Sequence, residues 1–248
     1  MLIGPWCPDK CKFQWSVHMA NILKRTVFFF KEILSHIVNA KEMFHLWYYR
    51  SGVWETTYFM GIHCCKSVTD IWNYQEIIYQ MKPALIVEFG SLYGGSTLFF
   101  STIQKMVNPD SKVISVDINH DKIPEIVRRD PHIELISCSS TDALVENRLK
   151  ELRNIYRGPM FTILDSDHSK KHVLKEMEML RGILVAGDYL IVEDSNVSGH
   201  PVRPDFGDGP MEAMDEYMKR YPDDYERDIQ RENKFGFTFA PKGFLIKK

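Results

Sequence analysis

Two acidic clusters offer the most pointed chemistry in this 248-residue chain: Asp165-Ser166-Asp167-His168 after the apolar run Phe161–Leu164, and Glu193-Asp194 after Tyr189–Val192. Where both runs are neighbouring buried strands, four carboxylates meet at one sheet edge with no arginine beside them. Such a set repels itself and raises its own pKa values unless a divalent cation neutralises it, and a hard cation such as Mg2+ takes oxygen ligands of this kind. The metal candidates are therefore Asp165, Asp167, Glu193 and Asp194. A single carboxylate at a strand end more often caps the next helix; it is the doubling that favours a cation. His168 and His200 are the candidate catalytic bases, since imidazole titrates near neutrality, and a helix-start hydrogen bond is the plainer role for each.

These clusters need elements that bring them together. Between Pro83 and Val192 short apolar runs alternate with helical stretches, the pattern of βαβ units in a parallel sheet. Strands are expected at Leu85–Phe89, Lys112–Val116, Ile133–Ser137, Phe161–Leu164 and Tyr189–Val192, with helices at Ser96–Met106, Lys122–Arg129, Thr141–Tyr156 and Ser169–Leu184. A Gly/Pro-rich stretch, Ser198–Pro210, then precedes a helix at Met211–Tyr221. Phe235–Phe239 and Phe244–Ile246 around Pro241-Lys242-Gly243 read as a hairpin. This is the outline of an α/β, Rossmann-like class I methyltransferase: a mostly parallel seven-stranded sheet with a C-terminal antiparallel hairpin. Residues 1–81, rich in aromatic side chains such as Trp47, Tyr48, Tyr49, Trp54 and Trp72, form a helical N-terminal extension, and residues 82–248 the catalytic domain.

The first strand hands over to its helix through Glu88-Phe89-Gly90-Ser91-Leu92-Tyr93-Gly94-Gly95. Its glycines do not have the dinucleotide spacing, and no Gly-Lys-Ser/Thr grips a triphosphate. They fit the acidic-x-Gly-x-x-x-Gly-Gly loop of S-adenosylmethionine (SAM) enzymes, in which bare backbone donors and a helix N-terminus receive the amino-acid half of the cofactor. Asp117, at the tip of the second strand and 22 positions past Gly95, sits where a carboxylate accepts the ribose hydroxyls of a nucleoside. Ser139, with Ser140 and Thr141, follows the third strand, beside the adenine edge. The cofactor-binding set is thus Glu88, Gly90, Ser91, Gly94, Gly95, Asp117 and Ser139.

Composition narrows the partners. With 44% apolar residues the chain buries a sizeable core, and Lys+Arg at 31 against Asp+Glu at 33 leaves a net charge of −2, without the basic footprint that nucleic acid needs. Five cysteines in no even framework fit free thiols in a reducing, cytoplasmic setting. No run reaches the roughly 18 apolar residues of a membrane span. Met19–Ala40 reads instead as an amphipathic helix, with Ile22, Phe29, Ile33 and Ile37 near one stripe; its roles are packing on the domain, contact in a homo-oligomer, or peripheral contact with a membrane surface.

Beyond these patterns, Val87–Ser96, Ile163–Ser169, and above all Val192-Glu193-Asp194-Ser195-Asn196-Val197-Ser198-Gly199-His200-Pro201 through Pro204, with Gly209-Pro210-Met211-Glu212-Ala213, resemble the cephalosporin hydroxylase (7-methoxylation) family of SAM-binding proteins. Trp47-Tyr48-Tyr49, Lys66–Glu76 and Arg231–Gly236 resemble its rhamnosyl O-methyltransferase branch, and the likeness runs from about Phe44 onward. The resemblance implies SAM, a divalent metal, and methylation of the 2-hydroxyl of a rhamnose carried by a phenolic glycolipid or a p-hydroxybenzoate derivative. In the cephalosporin branch of the family, the resemblance implies, the metal rests on one aspartate of the first acidic motif and the Glu-Asp pair of the second. That aspartate resembles Asp167 by spacing, whereas catechol-type methyltransferases point to Asp165, and both stay open. Another acceptor, such as a different sugar or a hydroxylated β-lactam, is one rival; a SAM-binding accessory subunit, which has no need of the acidic set, is another.

Overall fold

An apolar run needs no alternation when both faces of its strand are covered. Leu85–Phe89 is buried at all five positions and becomes the third strand and pivot of the main sheet. The computed structural model describes residues 39–248 and, before them, residues 19, 22, 23 and 25–34. Residues 1–44 and His45–Lys248 form two separate compact units.

In chain order the second unit carries the greater part of α1 (Ala40–Ser51), then a small hairpin, β1 (Tyr58–Phe59) with β2 (Ile62–His63), and α2 (Val68–Met81). Next come β3 (Leu85–Phe89), α3 (Gly95–Val107), β4 (Lys112–Asp117), α4 (Glu125–Arg128), β5 (Ile133–Ser137), α5 (Ala143–Ile155), β6 (Met160–Leu164), α6 (Lys170–Arg181) and β7 (Tyr189–Val192). The chain continues through α7 (Pro210–Arg220), β8 (Tyr225–Arg227), α8 (Ile229–Asn233) and β9 (Phe244–Lys247). The seven strands run in the order β5-β4-β3-β6-β7-β9-β8, with β3 to β7 parallel and β9 antiparallel to both β7 and β8.

Side chains alternate faces along each strand, and the two cores divide accordingly. Leu85, Val87, Phe89, Leu164, Leu190 and Val192 meet α5, α6 and α7, whose Val145-Leu149-Leu152 and Val173-Met177-Leu180 recur at helical spacing. Ile86, Val113, Phe161, Ile163 and Ile191 face Tyr74, Ile77 and Ile78 of α2 and Leu98, Phe99 and Phe100 of α3. Each such fully buried side chain stabilises the fold by about 1.5–3 kcal/mol. The N-terminal extension therefore supplies one layer of the core through α2.

All five expected parallel strands are present, and the antiparallel C-terminal pair as well. The pair's outer arm is not Phe235–Phe239 but β8, Tyr225–Arg227. Phe237 and Phe239 instead join Tyr48 in an aromatic cluster, and the segment is fixed by Asp70, which accepts hydrogen bonds from Thr238 Oγ1 (2.6 Å) and Phe239 N (2.8 Å). Its backbone has a side-chain acceptor where a strand would need a ladder. Of the expected helix Met19–Ala40, residues 25–34 are helical and exposed; the remainder, like Cys7 and Cys11, falls largely outside the described residues. No helix among those residues is long and apolar enough to cross a membrane.

Candidate active site

Strand order reverses at β3, with β4 on one side and β6 on the other, and in open α/β sheets the crevice beyond the strand C-termini at such a point receives the ligand. Gly90 follows β3 with φ +86°, and a Cβ there would lie 2.0 Å from the carbonyl oxygen of Asp165, which follows β6. Only glycine lets these two strand ends come so close. Gly95 is equally confined, since a Cβ would fall 2.3 Å from the His63 carbonyl oxygen, while Gly94 is held at φ +80°. Asp117 reaches the same turn from β4: its Oδ2 accepts from Ser91 N (2.9 Å) and Leu92 N (3.0 Å), and its Oδ1 from Asn119 N (3.1 Å). Ser91 Oγ is buried without a hydrogen-bond partner among the described residues. Glu88 lies beneath the turn, fully buried, with Thr97 Oγ1 donating to its Oε2. Burial pushes its carboxyl up to about 7 against hydrogen bonds from Ser96 and Thr97. Ser139 opens the loop after β5, its Oγ 3.3 Å from that of Thr141.

The acidic clusters converge beside this turn. Asp165, His168 and Asp194 each present a ligand atom, and all three atoms lie within 4.8 Å of one another. His168 Nε2 is 3.2 Å from Asp194 Oδ2 and 4.0 Å from Asp165 Oδ1. Asp194 adopts φ +51°, a left-handed backbone that aspartate tolerates better than most residues. Burial raises the pKa of Asp194, with His168 alongside pulling it down. Glu193 is buried more deeply and is held by two groups from the N-terminal extension: Tyr74 OH donates to its Oε1 at 2.9 Å, and Lys66 Nζ pairs with the same oxygen at 2.9 Å. Lys66 Nζ also donates to Asp165 Oδ2. Burial alone would depress the Lys66 ammonium, but Asp165, Glu193 and Glu88 together outweigh it and keep it firmly protonated.

The remaining candidates sit outside this three-residue group. Asp167 Oδ1 accepts from Ser169 N (2.8 Å) at the start of α6, a helix-start contact that holds its carboxyl below the usual range. His200 Nε2 lies 2.7 Å from Glu212 Oε1, and Glu212 Oε2 accepts from Gly209 N (2.7 Å), so the histidine fastens the Gly/Pro-rich loop to α7. Lys66 and Tyr74 were not among the sequence candidates. A lone lysine ahead of a helix carries no pattern of its own; the one pointer was that Lys66–Glu76 is among the stretches that carry the family resemblance.

A Rossmann-like sheet with a glycine turn at its switch point, a carboxylate on the second strand and an acidic group across the crevice defines the class I methyltransferase architecture. Comparison with known proteins narrows this. Residues 51–248 match the sequence model of the family described as Rhamnosyl O-methyltransferase/CmcI. The Rhamnosyl O-methyltransferase of Mycobacterium leprae (strain TN) is 52% identical over 207 residues, covering 84% of this chain and 90% of that protein. That of Mycobacterium bovis (strain BCG / Pasteur 1173P2) is 50% identical over 206 residues, 83% and 84% of the two chains. A CmcI structure with Mg and SAM superposes with a TM-score of 0.63 at 21% identity, covering 78% of this chain and 77% of that one, and a CmcI structure with SAH gives 0.61, covering 78% and 84%. At that identity the likeness is one of fold. The chain belongs to the Rhamnosyl O-methyltransferase/CmcI family and is, by that membership, an O-methyltransferase.

Proposed function

We propose that this chain transfers the methyl group of SAM to a sugar hydroxyl, namely the 2-hydroxyl of a rhamnose on a phenolic glycolipid or a p-hydroxybenzoate derivative. The observation that carries the reading is the convergence of Asp165, His168 and Asp194 beside the Gly90 turn. A cofactor fits there on two grounds: Ser91 Oγ is a buried hydroxyl without a partner, and the turn offers close backbone approach. Ser91 and the glycine turn would hold the amino-acid end of SAM, Asp117 its ribose hydroxyls, and the loop from Ser139 its adenine.

The donor set also fits a cation. Asp165 and Asp194 offer hard oxygens to Mg2+, with Glu193 adjoining and Asp167 kept as the alternative from the sequence. A bound divalent cation supplies Lewis acidity that makes a sugar hydroxyl easier to deprotonate. His168, partly exposed and oriented by Asp194, is placed to take the hydroxyl proton, while Lys66 and Tyr74 fix Glu193. The relatives are named for rhamnosyl O-methylation, which supports the acceptor class. Incubation with methyl-labelled SAM, Mg2+ and a rhamnosyl p-hydroxybenzoate should give labelled product, and Asp165→Ala or Asp194→Ala should abolish it. Absence of transfer by the wild-type chain, or full activity in both variants, sinks the proposal.

The exposed Phe28, Phe29, Phe30, Ile33 and Leu34 of the helical stretch 25–34, with Arg25 and Lys31 among them, support peripheral contact with a lipid surface, in keeping with a glycolipid acceptor. The homo-oligomer expected from the sequence is tested by light scattering of the full chain, where a monomer mass ends it.

A further inference from the structure

We propose that Glu176 is a positioning residue that joins the cofactor half of the site to its metal half, so that a ligand in either half strengthens binding in the other. Ser140 Oγ, in the loop after β5, donates to Glu176 Oε1 at 2.5 Å. Ser166 Oγ, next to Asp165 in the loop after β6, donates to the same oxygen at 2.6 Å, and the two hydroxyl oxygens lie 3.4 Å apart. With the single proton of Ser140 spent on Glu176, His172 Nε2, 2.8 Å from Ser140 Oγ, must be the donor in that contact. The hydrogen bond to Glu176 draws the His172 pKa upward.

The placement is costly for a carboxylate. Glu176 is completely buried, on the side of α6 that carries Val173, Met177 and Leu180, and its Oε2 has no hydrogen-bond partner among the described residues. Packing alone would be served by an apolar residue. What the carboxylate adds is one rigid joint between two loops that hold different ligands: the loop with Ser139 and Ser140 on the adenosine side, and the loop with Asp165 and His168 on the cation side. The inference rests on that reading of the two halves. Where two loops share a joint, a ligand that orders one leaves less ordering for the other ligand to impose, and by linkage the effect is reciprocal.

The test measures binding, not turnover. SAH affinity is determined by calorimetry with and without Mn2+, and Mn2+ affinity by electron paramagnetic resonance with and without SAH. In the wild-type chain each ligand should tighten the other by about fivefold or more. In Glu176→Ala this factor should fall to about one, while Glu176→Gln, which keeps a carbonyl acceptor for both serines, should restore most of it. A purely structural role would lower the melting temperature of Glu176→Ala and leave the coupling factor intact. If Glu176→Ala does not fold, Ser140→Ala, which keeps the Ser166–Glu176 contact of the acidic loop, should lower the same factor. An unchanged factor in a folded variant overturns the proposal, as does a wild-type chain that binds both ligands without mutual effect. A wild-type chain that binds no SAH overturns instead the methyl-donor reading beneath it.

Discussion

Lys66 is the residue on which the acidic group depends. Its ammonium, 3% exposed as a residue, touches Asp165 and Glu193 at once. Removing one partner of a buried pair leaves the other charge uncompensated, which costs about 3–5 kcal/mol. Lys66→Met should therefore lower the urea midpoint by that equivalent, and an unchanged midpoint would show that the two carboxyl groups are neutral without it. His168 makes a different demand. Its side chain is 27% exposed, lies 3.2 Å from Asp194 and belongs to neither apolar core, so His168→Gln should leave stability nearly unchanged. Its kcat should nonetheless fall by about 10²-fold or more, as expected for loss of a general base. Initial rates with the KM for SAM measured in parallel separate this from lost cofactor binding, which would move KM instead.

At the scale of elements, α2 is fastened to the C-terminal segment by a buried carboxyl. Burial pushes Asp70 up from 3.8 to about 6, against hydrogen bonds from Thr238 and Phe239. Because the folded pKa lies above the unfolded one, the contribution of Asp70 to stability is fully present below about pH 4 and is lost as pH rises through about 6. Relative to Asp70→Asn, the wild type should lose on the order of 3 kcal/mol between pH 4 and pH 7 and show no further relative change above that. Denaturant titrations of both proteins across that range check it, and a difference independent of pH defeats it. The same region shows where the sequence was legible and where it was not. Leu85–Phe89 and Tyr189–Val192 announce themselves because strands buried on both faces are continuously apolar. Tyr225–Arg227 has no such signature: it is a three-residue edge strand with only Tyr225 buried, and its pairing with β9 decides its conformation. Phe235–Phe239 has strand-like composition, yet its apolar residues are claimed by Tyr48 and its backbone by Asp70. In the site, the glycine turn and Asp117 were readable from local spacing. The Lys66–Asp165 and Tyr74–Glu193 contacts join residues 99 and 119 positions apart, and no local pattern encodes them.

For the whole molecule, the extension and the sheet behave as one fold from His45 onward. A chain lacking residues 1–38 should keep its fold and its transfer activity on a soluble acceptor while losing association with anionic vesicles. One lacking residues 1–81 should be insoluble or unfolded, since it loses Tyr74, Ile77 and Ile78 from the core together with Lys66 and Asp70. Circular dichroism, co-sedimentation with vesicles and the labelled-methyl assay read these outcomes, and a well-folded 82–248 chain would contradict them. The sheet order has a further consequence, for synthesis on the ribosome. Strand β9 lies inside the sheet, between β7 and β8, although it follows both in sequence. Until Phe244–Lys247 has emerged, β7 presents an unpaired apolar edge and β8 has no partner, so the nascent sheet remains a template for pairing with other chains. Pairing the Phe244–Lys247 strand covers the open edge of β7 and gives β8 its partner, so that a long apolar edge is exchanged for the short edge strand Tyr225–Arg227 once these four residues are in place.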